Sequence, residues 1–368
     1  MTFQITPPFR ADHVGSLLRP KIINDAFKNF QAGLISREEV VGIEDEAIKE
    51  VIKLQQDVGL EVVTDGEFRR ASYWSTFVER VNGLEVSDSR FTFSDGDGHE
   101  QKFTAPIVTG EVSRSVSIAG DEFQYLKAHS VKTPKITIVS PPTMHMFRLD
   151  KTVQTDAYET TAEYFRDLAQ VYREEIKDLV DAGCTYIQLD DVPIPMLSDP
   201  KVQKRVREDG LNPSQLMNDY IALFNDCLAD RPDGVTLAVH MCRGNYKGKF
   251  LSEGGYEIFA DKFFNELNVD AFFLEYDSPR SGDFEPLKFV PKNKMVVLGL
   301  VSSKSPQLEP KESLKRRIDE AAKFIDLNQL ALSPQCGFAS TIAGNPITID
   351  DEKAKLSLIV EVAREVWD

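Results

Sequence analysis

The chain has 368 residues, and its 42% hydrophobic content is enough to bury a large core and excludes a disordered chain. Its formal net charge of −16 at pH 7 argues against a nucleic-acid or anionic-membrane partner, because its average surface would repel phosphate groups. The first residues show no basic segment followed by an apolar one, and the four cysteines indicate reduced thiols. We therefore expect a cytoplasmic protein that does not span a membrane.

Short apolar runs alternate with amphipathic helical stretches along the chain. Eight runs are typical of buried parallel strands: residues 9–16, 60–67, 135–142, 185–192, 235–242, 271–277, 295–303 and 330–337. Helical periodicity is clear at residues 37–59, 158–183, 213–231 and 310–326. Eight such units predict an α/β fold, a TIM (β/α)8 barrel that forms one catalytic domain over residues 1–368. A doubly wound open sheet is the alternative, but no Gly-x-Gly-x-x-Gly follows the first run.

One region, residues 84–123, breaks this alternation of strand and helix. Its residues alternate between apolar and polar, and it carries Asp-Gly-Asp-Gly at residues 95–98, a hairpin signal. The pattern predicts a β-ribbon inserted after the second strand. Such a ribbon could serve as a lid or as part of a subunit interface, so a homodimer stays open.

Polar residues follow most of the predicted strands, at the face where barrel enzymes keep their active sites. Alternation along the fifth strand sends His240 and Cys242 to the same side, and Glu275 and Cys336 end the sixth and eighth strands. A lone His-x-Cys pair is more often core packing than a metal site. With a second cysteine and a carboxylate on neighbouring strand ends, a metal becomes the better interpretation, and two thiolates favour Zn²⁺. Cys184 and Cys227 are expected to be packed thiols.

Further polar groups surround the same predicted mouth. Asp190 and Asp191 end the fourth strand and are compatible with an acid/base dyad, a second metal site, an ammonium clamp or a plain helix cap. Ser16 lies in a turn whose N–H groups could hold a carboxylate. The segment after the second strand adds Asp65, Glu67, Arg69 and Arg70. The mouth therefore offers partners for both ends of an amino acid.

Taken in chain order, these motifs resemble the catalytic barrel of the cobalamin-independent methionine synthase family. "HVGS" is similar to that family's "IGS" turn, "DGEFRR" to "GEAER", "SPPT" to "GPVT" and "IQLDD" to "IQIDE". "HMC", a strand-end Glu and a late "QCG" resemble its zinc site. The likeness covers nearly the whole chain and is closest to short, single-barrel homologues without the N-terminal half.

The resemblance implies a role for each matching residue. His240, Cys242, Glu275 and Cys336 would bind Zn²⁺. Gly15 and Ser16 would hold the substrate carboxylate, and Glu67 and Asp190 its ammonium group. The implied reaction is transfer of a methyl group from 5-methyltetrahydrofolate, or from a methylcorrinoid or its protein, to homocysteine. Glu275 would be the ligand that yields as the substrate sulfur arrives.

Two positions depart from the family pattern. Lys304 stands where the long enzymes place a histidine that protonates the leaving folate amine, and lysine is a weaker acid unless its pKa is lowered. Phe147 stands where the family has a tryptophan beside the pterin ring. We expect Lys304 to take the proton-donor role and Phe147 to contact the donor, while the identity of the methyl donor stays open.

Two other classes of reaction use a similar metal site. One is zinc-dependent alkylation of another thiol, such as a coenzyme M-type thiol that opens an epoxide. The other is hydrolysis by zinc-bound hydroxide, which two cysteine ligands disfavour because they make bound water less acidic. A closed structural zinc site is the remaining alternative, and its expected place at a barrel mouth argues against it.

Overall fold

The computed structural model describes residues 7–94 and 98–368. Residues 1–6, part of the segment in which the sequence shows no basic stretch followed by an apolar one, lie outside the described residues. So do residues 95–97 of the predicted Asp-Gly-Asp-Gly turn. In the described part of the chain, no helix combines the length and the apolar character that crossing a bilayer requires.

The barrel wall consists of short parallel strands, most of them buried on both faces. They are β1 Val62–Val63, β4 Thr133–Pro134, β5 Ile136–Val139, β6 Tyr186–Asp191, β7 Thr236–Met241, β8 Ala271–Glu275, β9 Met295–Val301 and β10 Leu330–Pro334. Strands β5 to β10 pair in sequence order, and β1 pairs with β4. Seven of the eight predicted runs contain a strand within their expected bounds, although residues 60–67 contain only the two residues of β1.

The first predicted strand closes the ring with few hydrogen bonds. Ala11 forms a parallel bridge with Leu332 on β10, and the N–H of Leu17 donates to the carbonyl of Gly66 at 3.1 Å. The first two predicted strands are shorter than expected because their carboxyl ends leave the extended conformation. Gly15, Gly66 and Glu67 have φ values of 137°, 71° and 61°. These turns form part of the barrel mouth.

Helices cover the outer face of the barrel. They are α1 Lys21–Gln31, α2 Arg37–Asp57, α3 Ser75–Arg80, α4 Gly120–His129, α5 Thr143–Met146, α6 Thr161–Asp181, α7 Pro193–Met196, α8 Pro200–Glu208, α9 Pro213–Cys227, α10 Ala260–Glu266, α11 Lys311–Ala321 and α12 Ile349–Trp367. Short 3₁₀ segments lie at Leu149–Lys151, Pro279–Ser281, Glu285–Phe289 and Leu327–Gln329. Capping boxes at Ser36 and Thr160 explain why the two longest helices begin where they do.

The insertion after β1 is the predicted ribbon. Strands β2 Val81–Ser94 and β3 Glu100–Arg114 pair antiparallel, and Val81 lies opposite Arg114. The expected end at residue 123 was too late, because residues 120–129 form α4. The ribbon leans over the barrel mouth, where the N–H of Ser94 donates to the carbonyl of Phe250 at 2.8 Å.

Candidate functional site

His240, Cys242 and Cys336 form one buried cluster at the barrel mouth. His240 lies on β7, Cys242 follows the same strand, and Cys336 follows β10. The imidazole nitrogen and the two sulfurs that could serve as ligands lie within 4.8 Å of one another. The Sγ atoms of Cys242 and Cys336 are 3.3 Å apart, and both thiols are free. Three residues separated by up to 96 positions thus meet, as the strand ends predict.

The chemistry of this cluster fits a thiophilic divalent metal. Among the described residues, neither ring nitrogen of buried His240 has a hydrogen-bond partner, which is costly unless something else binds there. Contact with Cys336 and burial raise the pKa of Cys242 well above its ordinary value. Two adjacent buried thiols therefore ionise only beside a compensating cation. One imidazole and two sulfurs are three of the four ligands that tetrahedral Zn²⁺ takes.

Glu275 ends β8 beside the cluster, fully buried, but its carboxylate faces basic groups. The N–H of Arg243 donates to Oε2 at 3.0 Å, and the guanidinium of Arg280 donates to Oε1. The Nζ of Lys304 is 3.5 Å from the same oxygen. Burial raises the pKa of Glu275, but Lys304, Arg280 and Arg243 outweigh burial and lower this pKa to about 2. The structure thus brings Glu275 to the mouth without placing it in the cluster.

Asp190 and Glu67 face the same cavity as the cluster. Asp190 is the neighbour of His240 in the register of β6 and β7, and Gln188 donates to its Oδ1 at 2.7 Å. Burial raises the pKa of Asp190 to about 7, against the lowering effect of His240. Glu67 accepts from Thr137 Oγ1 at 2.7 Å, while its buried Oε2 has no partner in the described part of the chain. An uncommitted carboxylate oxygen here suits a cationic group.

Asp191, the other half of the acidic pair, is bound by the protein. Ser140 Oγ donates to its Oδ1 at 2.6 Å, and the N–H of Ile194 donates to its Oδ2 at 2.9 Å. Alternation along β6 turns this side chain away from Asp190. Asp191 also borders the cavity, but both of its oxygens are bound, so this geometry favours a structural cap for Asp191 and leaves Asp190 as the candidate for contact with a ligand.

The predicted carboxylate-binding turn is tightly packed. Gly15 has a φ of 137°, and a Cβ there would lie 2.5 Å from Thr137 Cγ2. A Cβ at Gly337 would lie 1.9 Å from Ser16 Oγ, so the glycine of the late "QCG" allows the first turn to approach Cys336. Ser16 lines the cavity. Both positions therefore require glycine, because the barrel mouth has no room for a Cβ atom there.

A cavity of about 460 Å³ joins the cluster to the ribbon. Ser16, Glu67, Asp190 and the cluster line its floor. Its upper wall is aromatic: Phe147 packs edge-on against Phe103 of β3, with ring centroids 5.1 Å apart. Phe103 in turn packs against Phe93 of β2 at 4.9 Å. The ribbon thus covers a space larger than one small amino acid.

Lys304 is one of three predicted site residues, with Gly15 and Glu275, that the described lining of this cavity does not include. Its Nζ lies 3.4 Å from the carbonyl of Gly244 and beside Glu275, and the side chain is absent from the described cavity lining. Sequence reasoning missed Arg243, Arg280 and Tyr73. Tyr73 lines the cavity with a buried hydroxyl that has no partner among the described residues. The available signals were the Arg directly after "HMC" and the aromatic pair in "SYW" after "DGEFRR".

Comparison with known proteins agrees with this geometry. The model of the family "Cobalamin-independent synthase, Catalytic domain" matches residues 9–365. The chain belongs to the cobalamin-independent methionine synthase family. YxjH, an uncharacterised protein of Bacillus subtilis (strain 168), is 42% identical to this chain, covering 98% of it and 95% of YxjH.

Two further proteins are similar to this chain over most of its length. A protein named methionine synthase from Sulfolobus acidocaldarius is 24% identical over 88% of this chain and 84% of its own length. A solved Listeria monocytogenes structure, provisionally named a vitamin-B12 independent methionine synthase, is 32% identical with a TM-score of 0.77. It covers 99% of both chains. Membership of this family supports the (β/α)8 barrel and a methyltransferase activity.

Proposed function

We propose that this chain is a zinc-dependent methyltransferase that converts homocysteine to methionine, with 5-methyltetrahydrofolate or a methylcorrinoid as donor. The observation that carries the proposal is the buried His240–Cys242–Cys336 cluster, which opens onto a roofed cavity. Family membership supports the reaction class. Zinc would be held by these three residues; Glu275, the fourth ligand that the sequence predicts, lies beside the cluster but not in it. When bound, zinc would deprotonate the acceptor thiol and keep it nucleophilic at neutral pH.

The protein's own groups would bind and orient the amino acid. Glu67 Oε2 and the carboxylate of Asp190 are the acceptors for its ammonium group, since both lie at the cavity floor and no described residue binds Glu67 Oε2. The turn at Gly15 and Ser16 is the counterpart for its carboxylate. This arrangement directs the side-chain sulfur toward the cluster. Positioning of this kind lowers the entropic part of the barrier.

The donor would occupy the space under the ribbon, against Phe147 and Phe103. In the transfer, the sulfur electron pair forms the S–CH₃ bond while the bond from the methyl carbon to its carrier breaks. With a methylfolate donor, the carrier nitrogen keeps the electron pair and then takes a proton. Lys304 was expected to supply this proton, and its role as an acid stays a prediction.

The proposal is tested by metal content and methyl transfer in the same preparations. We expect about one zinc per chain and methionine formation from homocysteine, assayed with methyltetrahydrofolate and separately with methylcobalamin. Cys336→Ser should lose zinc and lower the rate by more than about 100-fold, because loss of a metal ligand costs more than loss of an outer partner.

Cys227→Ala is the matched control, since Cys227 is buried on α9 away from the cluster. It should keep both zinc and activity. A purified chain without stoichiometric metal, or a fully active Cys336→Ser variant, would contradict the proposed function.

A further inference from the structure

Three basic residues converge on the carboxylate of Glu275. Arg280 and Lys304 approach Oε1, while Arg243 binds Oε2 through its backbone N–H and places its guanidinium 3.8 Å away. Arg280 is also fixed by the carbonyl of Ser252 at 3.2 Å. We call Arg243, Arg280 and Lys304 the basic clamp. A buried carboxylate can leave a metal only if other positive charges stabilise it, because an unpaired buried charge is costly. The basic clamp supplies such charges.

The clamp lies directly beside the cluster. Arg243 and Gly244 follow Cys242 in the chain, and Lys304 Nζ contacts the Gly244 carbonyl. Lys304 is therefore oriented toward Glu275 and the backbone next to Cys242, and the described cavity lining does not include it. Its geometry suits control of Glu275 better than contact with a substrate.

Charge explains why such control would matter. One neutral imidazole and two thiolates on a divalent ion make a neutral complex. A fourth anionic ligand, either the Glu275 carboxylate or a substrate thiolate, brings the complex to −1. The two anions therefore compete for one position, and any cation that binds Glu275 elsewhere favours the thiolate.

We propose that Lys304, with Arg280, is a positioning residue that holds Glu275 off the metal and leaves the fourth ligand position to the substrate thiol. This inference rests on the proposed function in requiring a metal at the cluster. Lys304, which stands in place of the family histidine, would then control which group coordinates the metal, and this role is distinct from proton donation.

The test is a double-mutant cycle on zinc release, measured without substrate by transfer to a colorimetric chelator. Lys304→Met should let Glu275 bind the metal and slow zinc release by about tenfold. Glu275→Gln alone should change release little, and adding it to Lys304→Met should restore the wild-type rate. Lys304→Arg, which keeps the cation, should behave as wild type.

A proton-donor role for Lys304 would change turnover and leave zinc release in the resting protein untouched. Equal release rates for wild type and Lys304→Met therefore overturn the inference, as does fast release from Glu275→Gln alone. If Lys304→Met fails to fold by circular dichroism, Arg280→Met gives the same comparison. Failure of the wild type to bind zinc would instead refute the proposed function.

Discussion

The backbone at Gly15 has almost no room for a side chain. Its φ of 137° and the 2.5 Å distance that would separate an added Cβ from Thr137 Cγ2 disfavour any side chain. Gly15→Ala should lower the free energy of unfolding by about 2–4 kcal/mol, from backbone strain and overpacking together. Urea denaturation measures the loss.

Thr137→Ser provides the control for Gly15→Ala. It removes Cγ2 and keeps the hydroxyl that donates to Glu67 and accepts from Arg70. In the Thr137→Ser background, Gly15→Ala should cost less, because only the strain of the positive φ remains. A Gly15→Ala protein as stable as wild type would show that the turn relaxes.

The positions of individual site residues could be predicted where those residues lie at the ends of strands. His240, Cys242 and Cys336 were brought together as expected, since neighbouring parallel strands end at one mouth. The partners of Glu275 were not foreseen. Arg280 reaches it from a 3₁₀ segment and Lys304 from the loop after β9. Loop conformations that depend on long-range contacts leave no periodic signal in the sequence.

At the scale of elements, the ribbon's contribution to the cavity is open to test. Phe103 on β3 lies between Phe93 and Phe147, so Phe103→Ala removes the centre of the aromatic wall. We expect KM for the methyl donor to rise by about tenfold, the scale of one lost aromatic contact with its buried area, and KM for homocysteine to change little. Steady-state kinetics with each substrate varied in turn measure this.

Phe91→Ala is the comparison for Phe103→Ala. Phe91 lies on β2 but outside the described cavity lining. Similar donor kinetics in both variants would mean that the ribbon acts only through its stability.

The boundary between the ribbon and α4 shows why element ends are hard to predict. Ala119, at the N-cap of α4, has no side chain that caps the helix, and Ser117 Oγ accepts from the N–H of Gly120 at 3.0 Å. Glu175 on α6 accepts from the N–H groups of Ile118 and Ala119 at 2.7 and 2.8 Å. The part of this helix start that depends on a residue more than 50 positions away has no local signature.

At the scale of the whole molecule, a buried acid links the last helix to the N-terminal part of the chain. Glu352 on α12 accepts from the N–H of Leu18 at 2.8 Å. Burial raises the pKa of Glu352 to about 8, although the Leu18 hydrogen bond opposes the rise. The folded protein thus binds a proton that the unfolded chain releases near pH 4.5. This contribution to stability is present at low pH and is lost as the pH rises toward about 8.

Glu352→Gln should remove this dependence, since its amide oxygen can still accept from Leu18. The variant should match wild type near pH 5 and exceed it by at least about 1 kcal/mol at pH 9. Urea unfolding of both proteins at each pH measures the difference, in which titrations common to both cancel. A difference that does not grow with pH would show that Glu352 stays charged in the fold.

The architecture as a whole was largely predictable, because eight apolar runs separated by helical stretches leave few alternatives. The predicted lengths of the first two strands were too great. Their residues are apolar enough for strands, but positive φ values at Gly15, Gly66 and Glu67 turn the chain out of the sheet. A run of apolar residues indicates that a segment is buried. A buried segment at a barrel mouth does not need an extended backbone.

The pairing of Val81 with Arg114 has an evolutionary consequence. The insertion leaves and rejoins the barrel at adjacent points, so lengthening, trimming or exchanging it displaces no neighbouring strand. Changes to the ribbon during evolution can therefore alter the upper wall of the cavity, while the His240–Cys242–Cys336 cluster below it stays unchanged.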